Sequence, residues 1–518
     1  MINIIGSGLA GLSAAISLSK RGITSNLISV QEAQRAQSVM AEGGINAAIN
    51  VMGEDDDFMN HYEDTMKGGA YLADPNAVYG LCKSAPEIVQ WLLELGVPFE
   101  MKDGKLIQRN FGGQKKKRTA YIKSSTGKML MSALIDEVRK YEVQGLVKRY
   151  SHHKALDVIV EDGACKGVII KDEYSDETKA LAGPVILACG GLTGLFIRRT
   201  TGSSDNTGQL VSNLFLKGLE MANLEMIQYH PTTINIGEKR LLVSEAARGE
   251  GGRLMTYKNG KPYYFMEELY PAEKNLTTRD VATRAIYRIM NDKEYSGDVY
   301  LDMTHIDPKI IEERLSDMRE ELLDYFSIDL CEKPFKVEPG IHYFMGGVYV
   351  DEDHRTNIKD LYAAGECACQ YHGANRLGGN SLLGAIYGGK VAAENIEDTQ
   401  IELKETGSDQ NQCSPLFDEK LAEILCEGLG IIRNEAQMNK ALRNCEELKK
   451  EALNKAEANK LTLAEAMLRS ALERKESRGG HYREDYPETD EAYRKSIVAS
   501  YDQGIKIKTE EIPERRAQ

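Results

Sequence analysis

The sequence predicts an α/β protein in which a doubly wound, Rossmann-like domain is interrupted by an inserted α+β cap and followed by a helical domain. Three observations carry this. Residues 1–22 run from a short apolar strand through G-S-G-L-A-G into a small-residue helix. Residues 361–383, LYAAGECACQYHGANRLGGNSLL, repeat that plan: a strand breaks at glycine, a polar loop follows, and a helix starts. Beyond about residue 400 the apolar spacing is helical.

A strand that ends in glycine and feeds a helix leaves backbone N–H groups pointing outward, which makes an anion site. At the N-terminus Gly6, Gly8 and Gly11 flank Leu9 and Ala10 directly after the strand. They allow a tight turn, close approach of a pyrophosphate and close helix–strand packing, so this placement of GxGxxG points to a dinucleotide. The second strand, ITSNLISV, ends at Ser29, where an acid usually binds the ribose hydroxyls. That weakens a standard NAD assignment.

The next loop holds Ser38, Ala41 and the pair Gly43–Gly44, where backbone could approach a flat ligand such as a flavin ring. Helices are expected across residues 52–105. Phe111-Gly-Gly-Gln, three lysines and Arg118 predict a flexible, solvated basic loop. Residues 147–190 alternate as strands and end on Ala188, Gly190 and Gly191, as a hairpin returning to the parallel sheet would. Thr200 to Gln209 is another polar glycine loop ahead of a helix.

From Glu225 the character changes. His230 follows on QYHPT, Ser244, Glu245 and Arg248 on SEAARGEGG, and Arg279 opens a helix where Thr277 and Asp280 have capping-box spacing. His342 leads back to the 361–383 segment with its Arg376. These features divide the chain into 1–225 and 336–400 for the dinucleotide domain, 226–335 for the cap, and 401–518 for the helical domain. In the last, Thr462 and Glu465 are again spaced as a capping box.

Composition limits the function. A chain of 518 residues needs two to four domains. Its net charge of −14 argues against nucleic acid, so an anionic substrate must be drawn in by a local arginine cluster. Nine cysteines without C-x-x-C pairs predict reduced thiols, a cytoplasmic setting and no iron–sulfur cluster or other metal on this chain. Cys367 and Cys369 are the only close pair. No run of 18 apolar residues exists, so no membrane span is expected. Membrane association would come through partner subunits.

Taken in order, GSGLAG, AEGGINAA, QYHPT, SEAARGEGG, TTRD, HYFMGG, GECACQYHGANRLGGNSL and ESRGGHYREDYP resemble the flavoprotein family of fumarate reductase, succinate dehydrogenase and L-aspartate oxidase. The resemblance spans almost the whole chain. It implies FAD, contacted by Gly6, Gly8, Leu9, Ala10, Gly11, Ser29, Ser38, Ala41, Gly43, Gly44, Ala188, Gly190, Gly191, Glu366, Asn380, Ser381 and Leu382. It also implies an electron-transfer partner with iron–sulfur clusters, held in part by the C-terminal helices. The chemistry of the residues agrees. His230, His342 and Arg376 can clamp a dicarboxylate, Arg376 in bidentate fashion, while Ser244 adds a neutral donor. The family's proton donor maps onto Arg279, relayed through Glu245 and Arg248.

Three departures refine the expectation. Gln37 stands in the loop where covalent members carry a flavin-linking histidine, so FAD should be non-covalent, which favours fumarate reduction over succinate oxidation. Phe111 stands where aspartate oxidases place a glutamate for the substrate amino group. Gln209 replaces an aspartate usual near FAD, with no evident consequence. The expected activity is reduction of fumarate or a similar unsaturated dicarboxylate. L-Aspartate oxidase is the first alternative and a non-catalytic flavin-binding assembly subunit the second, although the latter would have no use for the full set of polar residues.

Overall fold

The structure is a computed structural model and describes residues 1–403 and 413–516. At its centre lies a five-stranded parallel sheet, ordered Leu361–Ala363, Val185–Leu187, Ile2–Ile5, Ser25–Ser29 and Val147–Ser151. Every residue of Ile2–Ile5 is buried, as an apolar central strand requires when helices cover both faces. The two strand–glycine–helix units lie side by side: the helices Leu9–Lys20 and Asn380–Asn395 pack on each other. Their approach is close enough that a Cβ at Gly389 would lie 2.2 Å from the Ala10 carbonyl oxygen.

The hairpin expected between residues 147 and 190 is larger than a simple return. His153–Glu161, Ala164–Asp172 and Thr178–Ala182 form a separate antiparallel sheet, and the chain rejoins the parallel sheet only at Val185–Leu187. The cap is built on a six-stranded sheet in the order Arg240–Leu242, Ile227–Asn235, Phe335–Phe344, Val299–Asp302, Arg253–Lys258 and Lys261–Tyr263. Its third strand runs unbroken through the division expected at 335/336.

The helices Pro415–Gly428, Glu435–Glu451 and Lys455–Glu473 form the C-terminal bundle. The chain does not stay helical, however. Lys495–Tyr501 and Ile505–Glu511 form a hairpin that joins Met221–Ala222, Gly347–Tyr349 and Ala368–Cys369 in one sheet.

Both expected capping boxes are absent. Thr462 and Glu465 lie inside the helix Lys455–Glu473, whose start is capped by Asn454 accepting from the Glu457 N–H, and Thr462 Oγ1 instead donates to the Ala458 carbonyl. At Arg279–Asn291 the N-cap is Thr278, without a side-chain bond, and Asp280 is engaged by Arg284 and Asn375. The basic loop is only partly solvated. Lys115 and Lys117 are exposed, but Arg118 is fully buried and bridges Asp56 and Asp64, each at 2.9 Å. Among the described residues no helix is long and apolar enough to cross a membrane, and no group of ligating side chains could hold a metal ion.

Candidate functional site

A single cleft runs from the ends of the parallel strands to the underside of the cap sheet. One end is lined by Ser29, Glu32, Ala155 and Gln209, the middle by Gly6, Gly8, Leu9 and Ala10, and the far end by His230, Ser244, Glu245, Arg279, His342 and Arg376. Sequence motifs hundreds of residues apart thus meet: the glycines follow strands of the parallel sheet, His230 and His342 lie within paired cap strands, Arg279 starts a helix and Arg376 sits in the loop before Asn380–Asn395.

Several features suit an elongated dinucleotide. The helix Leu9–Lys20 begins at Gly8 without a side-chain cap or an acid in its first turn, leaving its positive end open to a pyrophosphate. Ser38 Oγ accepts from the Leu9 N–H (3.3 Å) and ties the following loop to that turn. Ser29 Oγ, at the end of its strand, is buried without a hydrogen-bond partner and lines the cleft. Ala41, Gly43, Gly44, Ala188, Gly190, Gly191, Glu366, Ser381 and Leu382 also line the cleft. Gly379, in the left-handed region at φ +83°, turns the chain so that Asn380–Asn395 points its uncapped N-terminus at this middle section.

Two expected ligand contacts lie behind the wall rather than on it. Gly11 is pressed against the first turn, where a Cβ would meet the Gly6 carbonyl oxygen at 1.8 Å. Asn380 is completely buried and its carboxamide bonds to Asn46, His61 and Thr65. Gln209 bonds Asn213 and the Ala456 carbonyl, so it joins the cleft wall to the C-terminal bundle. Cys367 and Cys369 are both free thiols; Cys367 Sγ donates to the Leu187 and Ala364 carbonyls and neighbours Cys189 of the cleft wall.

At the far end, Arg279 is the first residue of its helix. Its Nε donates to Glu245 (2.8 Å) and its Nη1 to Gln228 (3.0 Å). Glu245 also accepts from the Gly112 N–H (3.0 Å). Burial pushes the Glu245 carboxyl up, but Arg279, Arg248 and these hydrogen bonds outweigh it and hold the group below the usual carboxylate range. Arg248 stands behind Glu245 at 3.8 Å, outside the cleft; burial depresses its guanidinium, and its Nε and Nη2 have no partner. A gap of 3.8 Å exceeds hydrogen-bond length, so that contact must tighten before a proton could cross it.

Arg376 is 3% exposed, lies over the Tyr343 ring at 4.3 Å and leaves its Nε unpartnered. No carboxylate pairs with it among the described residues. Burial, reinforced by repulsion from Arg279, lowers its guanidinium to about 9. His230 and His342 pack edge to face at 5.2 Å. Burial and the facing arginines push both imidazoles well below their ordinary value, so both are neutral. His230 Nε2 is buried and unpartnered, whereas His342 Nδ1 is held by Thr201 at 2.7 Å. Phe111 is 2% exposed, its ring wedged between Gly43 and Gly378, so it is a wall rather than part of a flexible loop.

Sequence reasoning overlooked three groups here. Gln228 shares a strand with His230, and alternate strand residues face one side, a periodicity that could have revealed it. Tyr343 adjoins His342. Glu42 precedes Gly43, hydrogen-bonds Ser244 and is raised to about 8, chiefly by burial and then by Glu321.

The family model described as FAD binding domain matches residues 2–382, and that described as Fumarate reductase flavoprotein C-term matches residues 456–516. A succinate dehydrogenase flavoprotein subunit of Bacillus subtilis is 37% identical, covering 96% of this chain and 94% of that one. An L-aspartate oxidase of Ralstonia nicotianae is 33% identical, over 94% and 91%. In three dimensions the chain resembles the E. coli quinol fumarate reductase subunit FrdA, with a TM-score of 0.89 and 27% identity over 100% of this chain and 97% of that one. The chain therefore belongs to the succinate dehydrogenase and fumarate reductase flavoprotein family and is an FAD-dependent oxidoreductase of that type.

Proposed function

We propose that the protein reduces fumarate, or a closely related unsaturated dicarboxylate, to the saturated acid, with FAD held non-covalently and electrons delivered by an iron–sulfur partner subunit. The observation that carries this is Arg376: a buried guanidinium with no carboxylate partner among the described residues, facing two neutral histidines and a second arginine. Burying an uncompensated cation costs several kcal/mol, so a site kept this way is built for an anion that arrives. A dicarboxylate offers one carboxylate to Arg376 and His342, and the other to the unpartnered His230 Nε2 and Ser244.

Reduced FAD, when bound, supplies the hydride to one alkene carbon. Arg279 gives a proton to the other, so that two electrons and two protons are added in all. Glu245, kept ionised by its arginine neighbours, accepts the replacement proton from Arg248 and returns it to Arg279. Non-covalent attachment rests on Gln37, whose side chain donates to the Thr201 carbonyl and offers no nucleophile for a flavin link. Localisation at a membrane would follow from partner subunits.

The aspartate oxidase reading is disfavoured by Phe111, which puts an apolar ring where an ammonium would need a carboxylate. The test is anaerobic reduction of the purified protein with dithionite, followed by fumarate. Rapid flavin reoxidation by fumarate, with no bleaching of oxidised enzyme by L-aspartate, is the expected result. Bleaching by aspartate with iminoaspartate formed would assign the protein to the oxidase branch. Acid precipitation should leave the flavin in the supernatant; flavin retained on the polypeptide would overturn the non-covalent reading.

A further inference from the structure

Asn46 lies outside the cleft, completely buried, two residues beyond Gly44. Its carboxamide is fully engaged. Nδ2 donates to the Gly378 carbonyl (2.8 Å) and to Asn380 Oδ1 (2.7 Å), while Oδ1 accepts from Gln114 Nε2 (3.0 Å) and Thr119 Oγ1 (2.6 Å). Its backbone N–H donates to the Gly379 carbonyl (3.2 Å). One side chain therefore joins three pieces of the site: the Gly43–Gly44 loop, the turn that opens the helix Asn380–Asn395, and the 111–114 segment. The last piece reaches further, because the Gly112 N–H is a direct hydrogen-bond donor to Glu245.

The surroundings keep this junction neutral. Asn380 Oδ1 also accepts from His61 Nε2 (3.0 Å), and burial with repulsion from Arg118 depresses that imidazole to about 3. The charges behind it, Arg118 with Asp56 and Asp64, are paired among themselves. Glu245 adjoins the same turn, its Oε2 3.1 Å from where a Cβ on Gly378 would sit, so the relay carboxylate is itself part of the field at the positive end of the helix Asn380–Asn395. Neutral carboxamides are the donors and acceptors that can fix such a turn without cancelling its field.

Resting on the proposed reductase reading, we infer that Asn46 is a positioning residue that couples the helix end facing the flavin to the carboxylate of the proton relay. Through Gly378–Asn380 it sets how strongly the helix N-terminus favours the more negative, reduced flavin. Through Gln114 it holds the segment whose Gly112 N–H orients Glu245. Gln114 Nε2 also donates to the Gly378 carbonyl (3.0 Å), so the branches share that turn and are told apart by which bonds each substitution removes.

The experiment compares Asn46→Asp and Gln114→Met with the wild-type holoprotein, reading flavin potential by anaerobic dye equilibration, the visible flavin spectrum, and turnover against pH. Asn46→Asp should lower the affinity for reduced relative to oxidised flavin about tenfold, a shift of about 30 mV for a two-electron couple. It should also lower kcat while leaving KM within about twofold. Gln114→Met keeps the Asn46 bonds to Gly378 and Asn380, so it should move the potential less than Asn46→Asp does while lowering kcat and displacing its pH profile. A folded Asn46→Asp protein with wild-type potential and spectrum would overturn the inference. If that variant fails to hold FAD, Gln114→Met decides alone, and an unchanged kcat and pH profile overturns it. The potential and spectrum need no substrate, so inertness toward fumarate would reject the reductase reading without deciding this one.

Discussion

Two clusters of buried arginine use the same side chain to opposite ends. In the C-terminal cluster Arg474 is fully buried, and all five of its N–H groups find acceptors: Glu225, Glu476, Asn223 and the carbonyls of Tyr493 and Lys495. Arg478 forks onto both oxygens of Glu476, and Arg483 onto both of Asp485. At the cleft Arg376 pairs with no carboxylate among the described residues, His230 leaves Nε2 without a hydrogen bond, and behind the wall Arg248 leaves Nε and Nη2 without one. Burial does not separate these two clusters; the pairing of their arginines with carboxylates does.

Substitutions can break this contrast. Arg279→Gln should lower turnover with fumarate about 10²- to 10⁴-fold, the range for loss of a general acid, with FAD content and thermal unfolding near wild type. If Arg279→Lys kept full activity in the same stopped-flow assay, Arg279 could not be the unique acid. Arg474→Met should cost about 3–5 kcal/mol in denaturant unfolding, because it strands the fully buried Glu225, while the folded fraction turns over normally. Arg376→Met should raise KM roughly 10- to 100-fold through loss of charged hydrogen bonds worth about 1.5–3 kcal/mol. Its unfolding midpoint should hold or rise, the opposite sign to Arg474→Met, since an uncompensated cation has been removed.

Glu42 sharpens the comparison through pH. Its carboxyl is raised from 4.5 to about 8 in the folded protein, so the native state holds a proton that the unfolded chain has released. Stability from this group is complete below about pH 4.5 and is lost as pH climbs to about 8, by up to about 1.4 kcal/mol per pH unit. In Glu42→Gln that contribution should vanish from the pH dependence of the unfolding midpoint. The smallest expected effect is on the C-terminal side: Asn434→Ala removes the cap on the Gln437 N–H and should cost about 1 kcal/mol without altering the flavin spectrum.

The strand–glycine–helix units and the residues of the cleft were legible because their signals are short and local. His230, Glu245, Arg279, His342 and Arg376 each sit in a compact motif, and the sheet brings those motifs together. Arg118 was not legible, because a run of basic residues looks solvated until Asp56 and Asp64 arrive from another segment. The false capping boxes differ in cause: Thr462-x-x-Glu465 lies inside a helix, whereas Thr277-x-x-Asp280 is set one residue ahead of the N-cap Thr278. Asn380 belongs to a ligand-binding motif, yet its side chain turns inward, and a motif states position rather than direction. The C-terminal strands escaped notice because their partner Met221–Ala222 is two residues long and far away in the chain.

That last pairing has a consequence for how the protein is made. Met221 bonds across to Ala499, so the sheet they share stays open while the intervening chain is synthesised, roughly 15–55 s at 5–20 residues per second. During that interval Met221–Ala222 presents an unprotected strand edge. A ribosome that stalls before Lys495 would therefore release a chain with every cleft residue already made and its sheet unsealed, a natural substrate for quality-control proteases.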